Sequence, residues 1–203
     1  ATTEIYTLSL HDALPILVGI DCDLGEASVQ IASDSYSIGE LATRRLIDDG
    51  CSRILCLRSN SRMRMPANKR TDAYLDVVEQ AGLPALVREV EFVKSDDEKS
   101  AVVAMILDEN PDIDGIFAGD DTMAAICLNV MKQRGLSAPG DIKVVGADGA
   151  RRTMTFMPDL TTVRQDIDRI GELAAQSIIA LINGEKPESN IKLPVELIEG
   201  KTA

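Results

Sequence analysis

Histidine occurs once in the 203 residues, at His11, and the four cysteines (Cys22, Cys51, Cys56, Cys127) show no CxxC spacing. That argues against a zinc module and against a disulfide scaffold, and leaves reduced thiols packed as small apolar groups. No apolar run approaches the roughly 18–20 residues that a membrane span needs. The signatures GxSxG, GxxxxGK[ST], HExxH and GxGxxG are all missing, so catalysis has little support and no cofactor or metal is expected. Bases are scarce relative to acids: 21 Lys and Arg face 33 Asp and Glu, for a net charge of −12. A surface that acidic repels phosphate backbones, so this stretch is not expected to grip nucleic acid by itself.

What is present is a globular composition, 45% apolar and 27% charged, long enough for one ordinary domain or two small ones. The opening residues 1–16, ATTEIYTLSLHDALPI, resemble one translated frame of a short-read sequencing adaptor. They are set aside as a non-native leader. His11 goes with them, so the remainder has no histidine to serve as general base or metal ligand.

From residue 17 the pattern alternates strand and helix. Short apolar runs at 17–21, 29–33, 54–57, 87–93, 115–118, 142–146, 161–163 and 192–198 read as strands, the last interrupted by Pro194 as at a sheet edge or crossover. Helices are predicted over 38–49, 68–80, from Ser95 to just before Asn110-Pro111, over 121–134 and over 166–183. Ser37 with Glu40, and Ser95 with Glu98, have capping-box spacing, and Gly50, Gly82, Gly135 and Gly184 stand where helices stop. Residues 149–159 read as a long connection. This alternation predicts an α/β fold: a parallel sheet with helices on both faces.

In such a sheet, ligands bind beyond the carboxyl ends of the strands. Asp120 and Asp121 follow one strand, Asp148 follows another, and a basic loop (Arg58, Arg62, Arg64, Lys69, Arg70) follows a third. These clusters should share one rim. Carboxylates accept from hydroxyls and guanidinium donates in a fixed fork, so the rim suits a neutral polyol such as a sugar. Plainer roles compete: Asp120 or Asp121 as a helix cap, Asp148 as a turn acid beside glycines, Arg70 paired on its own helix, and the basic run as a solvated loop. Met63, Met65, Met123 and Met131 read as core filler.

The stretches SDSYSIGELATRRLIDDGCSRI (33–54), KRTDAY (69–74), IFAGDDTMAA (116–125), GLSAPGDIKVVGADG (135–149), LTTVRQDIDRIGELA (160–174) and LPVELIEGKTA (193–203) follow one another in an order that resembles the ligand-binding core of LacI/GalR-type transcription regulators. The resemblance implies the type I periplasmic-binding-protein fold and a set of effector contacts. Arg70 matches the effector-binding arginine, Asp148 the effector-binding aspartate, and Gln165 a polar residue near the crossover between lobes. Asp120 stands where most members have Asn, so it accepts from hydroxyls but cannot donate. Ala147 replaces a common aromatic, implying a wider or looser pocket. Phe92 is implied as an apolar wall for a sugar face, and Arg64 as a further pocket residue.

The resemblance also implies an organisation. Residues 17–27 and 163–190 correspond to a remnant of the N-terminal lobe, and 28–162 with 191–203 to the C-terminal effector-binding lobe. The DNA-binding domain would lie outside the chain, and the remnant lobe would expose apolar faces. The implied parent is a cytoplasmic, homodimeric regulator whose affinity for operator DNA responds to a small effector, with no membrane association. A periplasmic sugar-binding protein of a transporter is the alternative.

Overall fold

The computed structural model describes residues 16–22, 29–60, 68–91 and 93–203. Its strands are β1 (Val18–Ile20), β2 (Val29–Ser33), β3 (Ile54–Asn60), β4 (Leu86–Glu91), β5 (Gly115–Ala118), β6 (Lys143–Asp148), β7 (Thr161–Gln165), β8 (Asn190–Leu193) and β9 (Val195–Ile198). Its helices are α1 (Ser35–Asp48), α2 (Asn68–Gln80), α3 (Asp96–Glu109), α4 (Asp121–Gln133), α5 (Arg151–Phe156) and α6 (Ile167–Ile182).

The strands form two sheets. The larger has the order β4-β3-β5-β6-β7-β9 and the smaller β1-β2-β8. All pairings are parallel except β7 with β9, which closes the larger sheet with an antiparallel edge. The alternation of buried side chains shows why the larger sheet needs cover on both faces. Leu55, Leu57, Ile116, Ala118 and Val144 join one apolar cluster with α3 and α4. Their neighbours Ile54, Cys56, Phe117, Val145 and Ala147 join another with α1 and α2. A period of two in strands buried on both sides produces this partition. The smaller sheet packs Val29 and Ile31 against Ile170 and Ala174 of α6.

Tyr74 ties one face together. Its hydroxyl donates to the Ile54 carbonyl at 2.7 Å and accepts from the Leu86 amide at 2.8 Å, so one fully buried side chain pins α2 to β3 and β4. The thiols of Cys51, Cys56 and Cys127 are buried, and burial pushes them up to about 11, 12 and 12. They are packing groups, as the sequence indicates.

Several expectations need correction. The strands divide between two sheets because the chain crosses between them. The segment 192–198 is two strands, β8 and β9, in different sheets, with Pro194 at the crossing. Strand β2 and most of β8, expected with the larger lobe, hydrogen-bond into the smaller sheet, and β7 runs unbroken to Gln165 in the larger one. Helix α1 begins a turn earlier than Ser37 would place it. Asp34 is the cap and accepts from the Ser37 amide at 3.2 Å, whereas the capping box of Ser95 and Glu98 forms as the spacing requires. The 149–159 connection contains α5, a helix with no side-chain cap and no buried residue, so neither capping nor periodicity announces it.

Candidate functional site

The carboxyl ends of both sheets face one cleft of about 690 Å³. Ile20 and Asp21 approach from the end of β1, and Ile167 and Ile170 from α6. Arg58, Gly119, Asp120, Asp148 and Gln165 approach from the ends of β3, β5, β6 and β7, with Arg70 from the first turn of α2. The geometry follows from topology, since parallel strands direct their carboxyl ends, and the helix starts after them, toward the same side. A cleft of this volume is in the ordinary range for small-molecule sites.

Asp148 is the hub. Its Oδ1 accepts from Arg70 Nη2 at 3.2 Å and from Gln165 Nε2 at 2.6 Å. Arg70 Nη1 donates to the Gly119 carbonyl, so the guanidinium bridges α2, the end of β5 and the end of β6. Arg70 therefore pairs across the fold and not on its own helix. Its Nε is buried without a partner among the described residues, an arrangement that invites an acceptor. Burial pushes the Asp148 carboxyl up to about 6; Arg70 pulls it down, while Asp121 and Asp120 add to the rise. The backbone at Asp148 has φ +115°, a strained conformation for a side-chain-bearing residue. Burial of a charge and backbone strain at one residue are common where binding sets the geometry.

The two adjacent acids separate in role. Asp120 caps α4, its Oδ1 accepting from the Met123 amide at 2.7 Å, and it also lines the cleft with Oδ2 accepting from the Ser59 hydroxyl at 3.2 Å. Asp121 turns away. It is 3% exposed and accepts from the Gly149 amide at 2.9 Å and the Thr162 hydroxyl at 2.6 Å. The pair therefore does not face one substrate as a general acid and base would.

Of the six residues expected in the pocket, Arg70, Asp120, Asp148 and Gln165 line one cleft. Arg64 and Phe92 lie outside the described residues. Within the described part, the apolar walls come from Phe117, Met123 and Ile126 on one side and Ile20, Ile167 and Ile170 on the other. Ala147 does not widen the cleft; it is fully buried in the core between β6, α1 and α2. Asp21, Ser35 and Thr122 line the cleft and were missed. Asp21 was legible, because it follows the first apolar strand as Asp148 follows its own.

Gly39 of α1 fixes where Arg70 stands. A Cβ at Gly39 would lie 2.1 Å from the Arg70 carbonyl oxygen, so α1 and α2 meet backbone to backbone there. Gly39→Ala is expected to cost about 1–3 kcal/mol of stability and to weaken ligand binding by displacing the first turn of α2. Chemical denaturation and calorimetry on the same variant check both; unchanged stability would mean the helices part without cost.

The domain family described as "Periplasmic binding protein-like domain" matches residues 43–203. The chain belongs to this family. It is 30% identical over 198 residues to the sucrose operon repressor of Lactococcus lactis subsp. lactis, covering 96% of this chain and 61% of that protein. It is similar in structure to a transcriptional regulator CelR–cellobiose complex, with TM-score 0.82, 28% identity, and coverage of 92% of this chain and 58% of that one. A periplasmic binding protein/LacI transcriptional regulator from Alkaliphilus metalliredigens QYMF, complexed with D-xylulofuranose, superposes with TM-score 0.81 at 25% identity, covering 92% of this chain and 70% of that one. The type I periplasmic-binding-protein-like fold and the likeness to LacI-type regulators thus hold in structure and in sequence. The chain spans about three fifths of the curated relative's length. Among the described residues, no helix is long and apolar enough to cross a membrane, and no cluster of His, Cys, Asp and Glu is built to hold a metal.

Proposed function

We propose that the chain is the effector-binding core of a LacI-type transcription regulator and that its cleft takes a sugar-like polyol. The observation that carries this reading is the Arg70–Asp148–Gln165 network at the meeting of both sheets. Donors and acceptors alternate there over a few ångströms, as a polyol requires, and apolar side chains from both sides face a sugar's C–H surfaces. Relatives named for sucrose, and structures with cellobiose and D-xylulofuranose bound, support a sugar as effector. Arg70, Asp148, Gln165 and Asp120 are the proposed contacts, with Arg64 and Phe92 as further candidates from the resemblance.

The task is binding, not turnover. A ligand lodged between two sheets changes their relative orientation only if it binds one arrangement more tightly than the other. In the parent protein this change would pass to operator DNA through a domain outside the chain, in a cytoplasmic homodimer. The smaller sheet with α6 is taken as part of the N-terminal lobe. Its α6 exposes Ile178, Ile179 and Ile182, which suits a face covered by further chain in the parent.

The test is the coding sequence upstream of residue 17. A helix-turn-helix in frame, with operator binding that responds to a sugar, supports the regulator. A secretory leader in frame would instead make the chain a solute-binding protein of a transporter.

A further inference from the structure

Arg58 is a charged residue where the strand pattern calls for an apolar one. A period of two carries the face of β3 that packs on α1 and α2 from Ile54 through Cys56 to Arg58. Burying a guanidinium costs free energy unless its donors are satisfied. Nη2 is ion-paired with Glu89, its register partner on β4, and Nη1 donates to the Asn68 side-chain oxygen at 3.4 Å. Nε is buried without a partner among the described residues. Arg70, in the same turn of α2 as Asn68, repeats the arrangement: Nη1 on the Gly119 carbonyl, Nη2 on Asp148 and a buried Nε with no partner among the described residues. The two arginines border one residue. A Cβ at Gly119 would lie 3.4 Å from Arg58 Cα, and the Gly119 carbonyl is the one that Arg70 takes. Both side chains line the cleft.

We propose that Arg58 is a second guanidinium contact for the ligand, donating from Nε to one oxygen of the sugar while Arg70 donates to another. This rests on the sugar reading above and adds a residue that selects among sugars. Glu89 and Asp148 already pair with the two guanidiniums, so what each Nε lacks is an acceptor, and a hydroxyl or ring oxygen provides one. A hydrogen bond from a charged donor is stronger than a neutral one and fixes direction. A sugar that places no oxygen before Arg58 leaves that donor buried and unpaired, and is rejected for it.

The test is calorimetry on the full protein with D-ribose, D-glucose, sucrose and cellobiose, repeated on two variants with the sugar that binds most tightly. Arg58→Gln puts an amide N–H where Nε stood and drops the charge. Arg58→Lys keeps the charge for Glu89 and puts a methylene where Nε stood. Arg58→Gln is therefore expected to bind within about threefold of the wild type, and Arg58→Lys about tenfold more weakly, the size of one charge-assisted hydrogen bond. If Arg58 served only to hold β3 to β4 through Glu89, the order would be reversed. The reverse order, or equal affinities in the two variants, overturns the contact and leaves the sugar reading standing. A second measurement needs no variant to fold: in the wild type the Arg58 Nε–H nuclear magnetic resonance signal should shift on adding the same sugar, and an unmoved signal likewise overturns the contact. Failure of every sugar to bind overturns the sugar reading and the contact with it.

Discussion

Asp148→Ala is expected to weaken sugar binding by at least about 100-fold, close to 3 kcal/mol, while leaving the unliganded fold intact. The substitution removes the acceptor that holds both Arg70 and Gln165. Among the described residues it leaves the guanidinium tied only to the Gly119 carbonyl, so it can swing out of the cleft. Folding does not depend on the same group. Alanine keeps a Cβ on the φ +115° backbone, so that strain stays, while the cost of burying the carboxylate is removed.

The pH dependence separates charge from shape. A folded pKa raised to about 6 from an unfolded value near 3.8 means that the folded protein holds this proton more tightly. The associated stability is fully present below about pH 4 and is lost as pH rises through about 6. Binding runs the other way, because the ionised form accepts best. Affinity should be level above about pH 7 and fall below about pH 6. Asp148→Asn keeps an acceptor toward Arg70 and Gln165 but presents a donor on its other side, so it should bind weakly with no step near pH 6. Calorimetry across pH and thermal melts of both variants check these points. Asp148→Ala that still binds sugar normally would remove Asp148 from the site. In the full-length protein the same variant should keep operator binding and lose the effector response.

Asp121→Ala is expected to produce the largest loss of stability, about 3–4 kcal/mol. Its two oxygens hold the Gly149 amide and the Thr162 hydroxyl in a buried place, joining α4 to the turn after β6 and to β7. Removing it leaves both donors without an acceptor. A Cβ at Gly146 would lie 2.6 Å from Asp121 Oδ1, so the backbone is shaped around this carboxylate. The damage should spread to the cleft, because Asp148 and Gly149 form the turn that Asp121 holds. Urea denaturation should show a lower midpoint with an unchanged slope. A loss below about 1 kcal/mol would mean that water replaces the carboxylate and that the tie is dispensable.

The two acids at 120 and 121 show what the sequence could and could not disclose. Their position after an apolar strand announced a rim, and the resemblance singled out Asp120 as the contact. Which carboxylate turns inward depends on Gly149 and Thr162, which are distant in sequence, and no local pattern encodes that. Strands buried on both faces were legible from continuous apolar runs, and 68–80 and 115–118 match their elements to the residue. The resemblance implied two lobes, but the strand pattern did not show which sheet takes Val29–Ser33, because that run reads the same in either. Pro194 did carry the signal of a crossing. Asp34 displaced Ser37 as the α1 cap because both types cap well, and packing of Ile38 and Ala42 against the sheet decided the helix start. Arg70 was placed by resemblance; its link to Asp148 spans 78 positions and rests on the backbone contact at Gly39.

The decisive measurement is an experimental structure of the full protein with the tightest-binding neutral sugar. The expected density lies between the two sheets, with sugar hydroxyls on Arg70 and on the free oxygen of Asp148 and a ring face against the apolar wall near Phe117. Density on an outer face, or in the cleft without contact to Arg70 or Asp148, would contradict the proposed binding site.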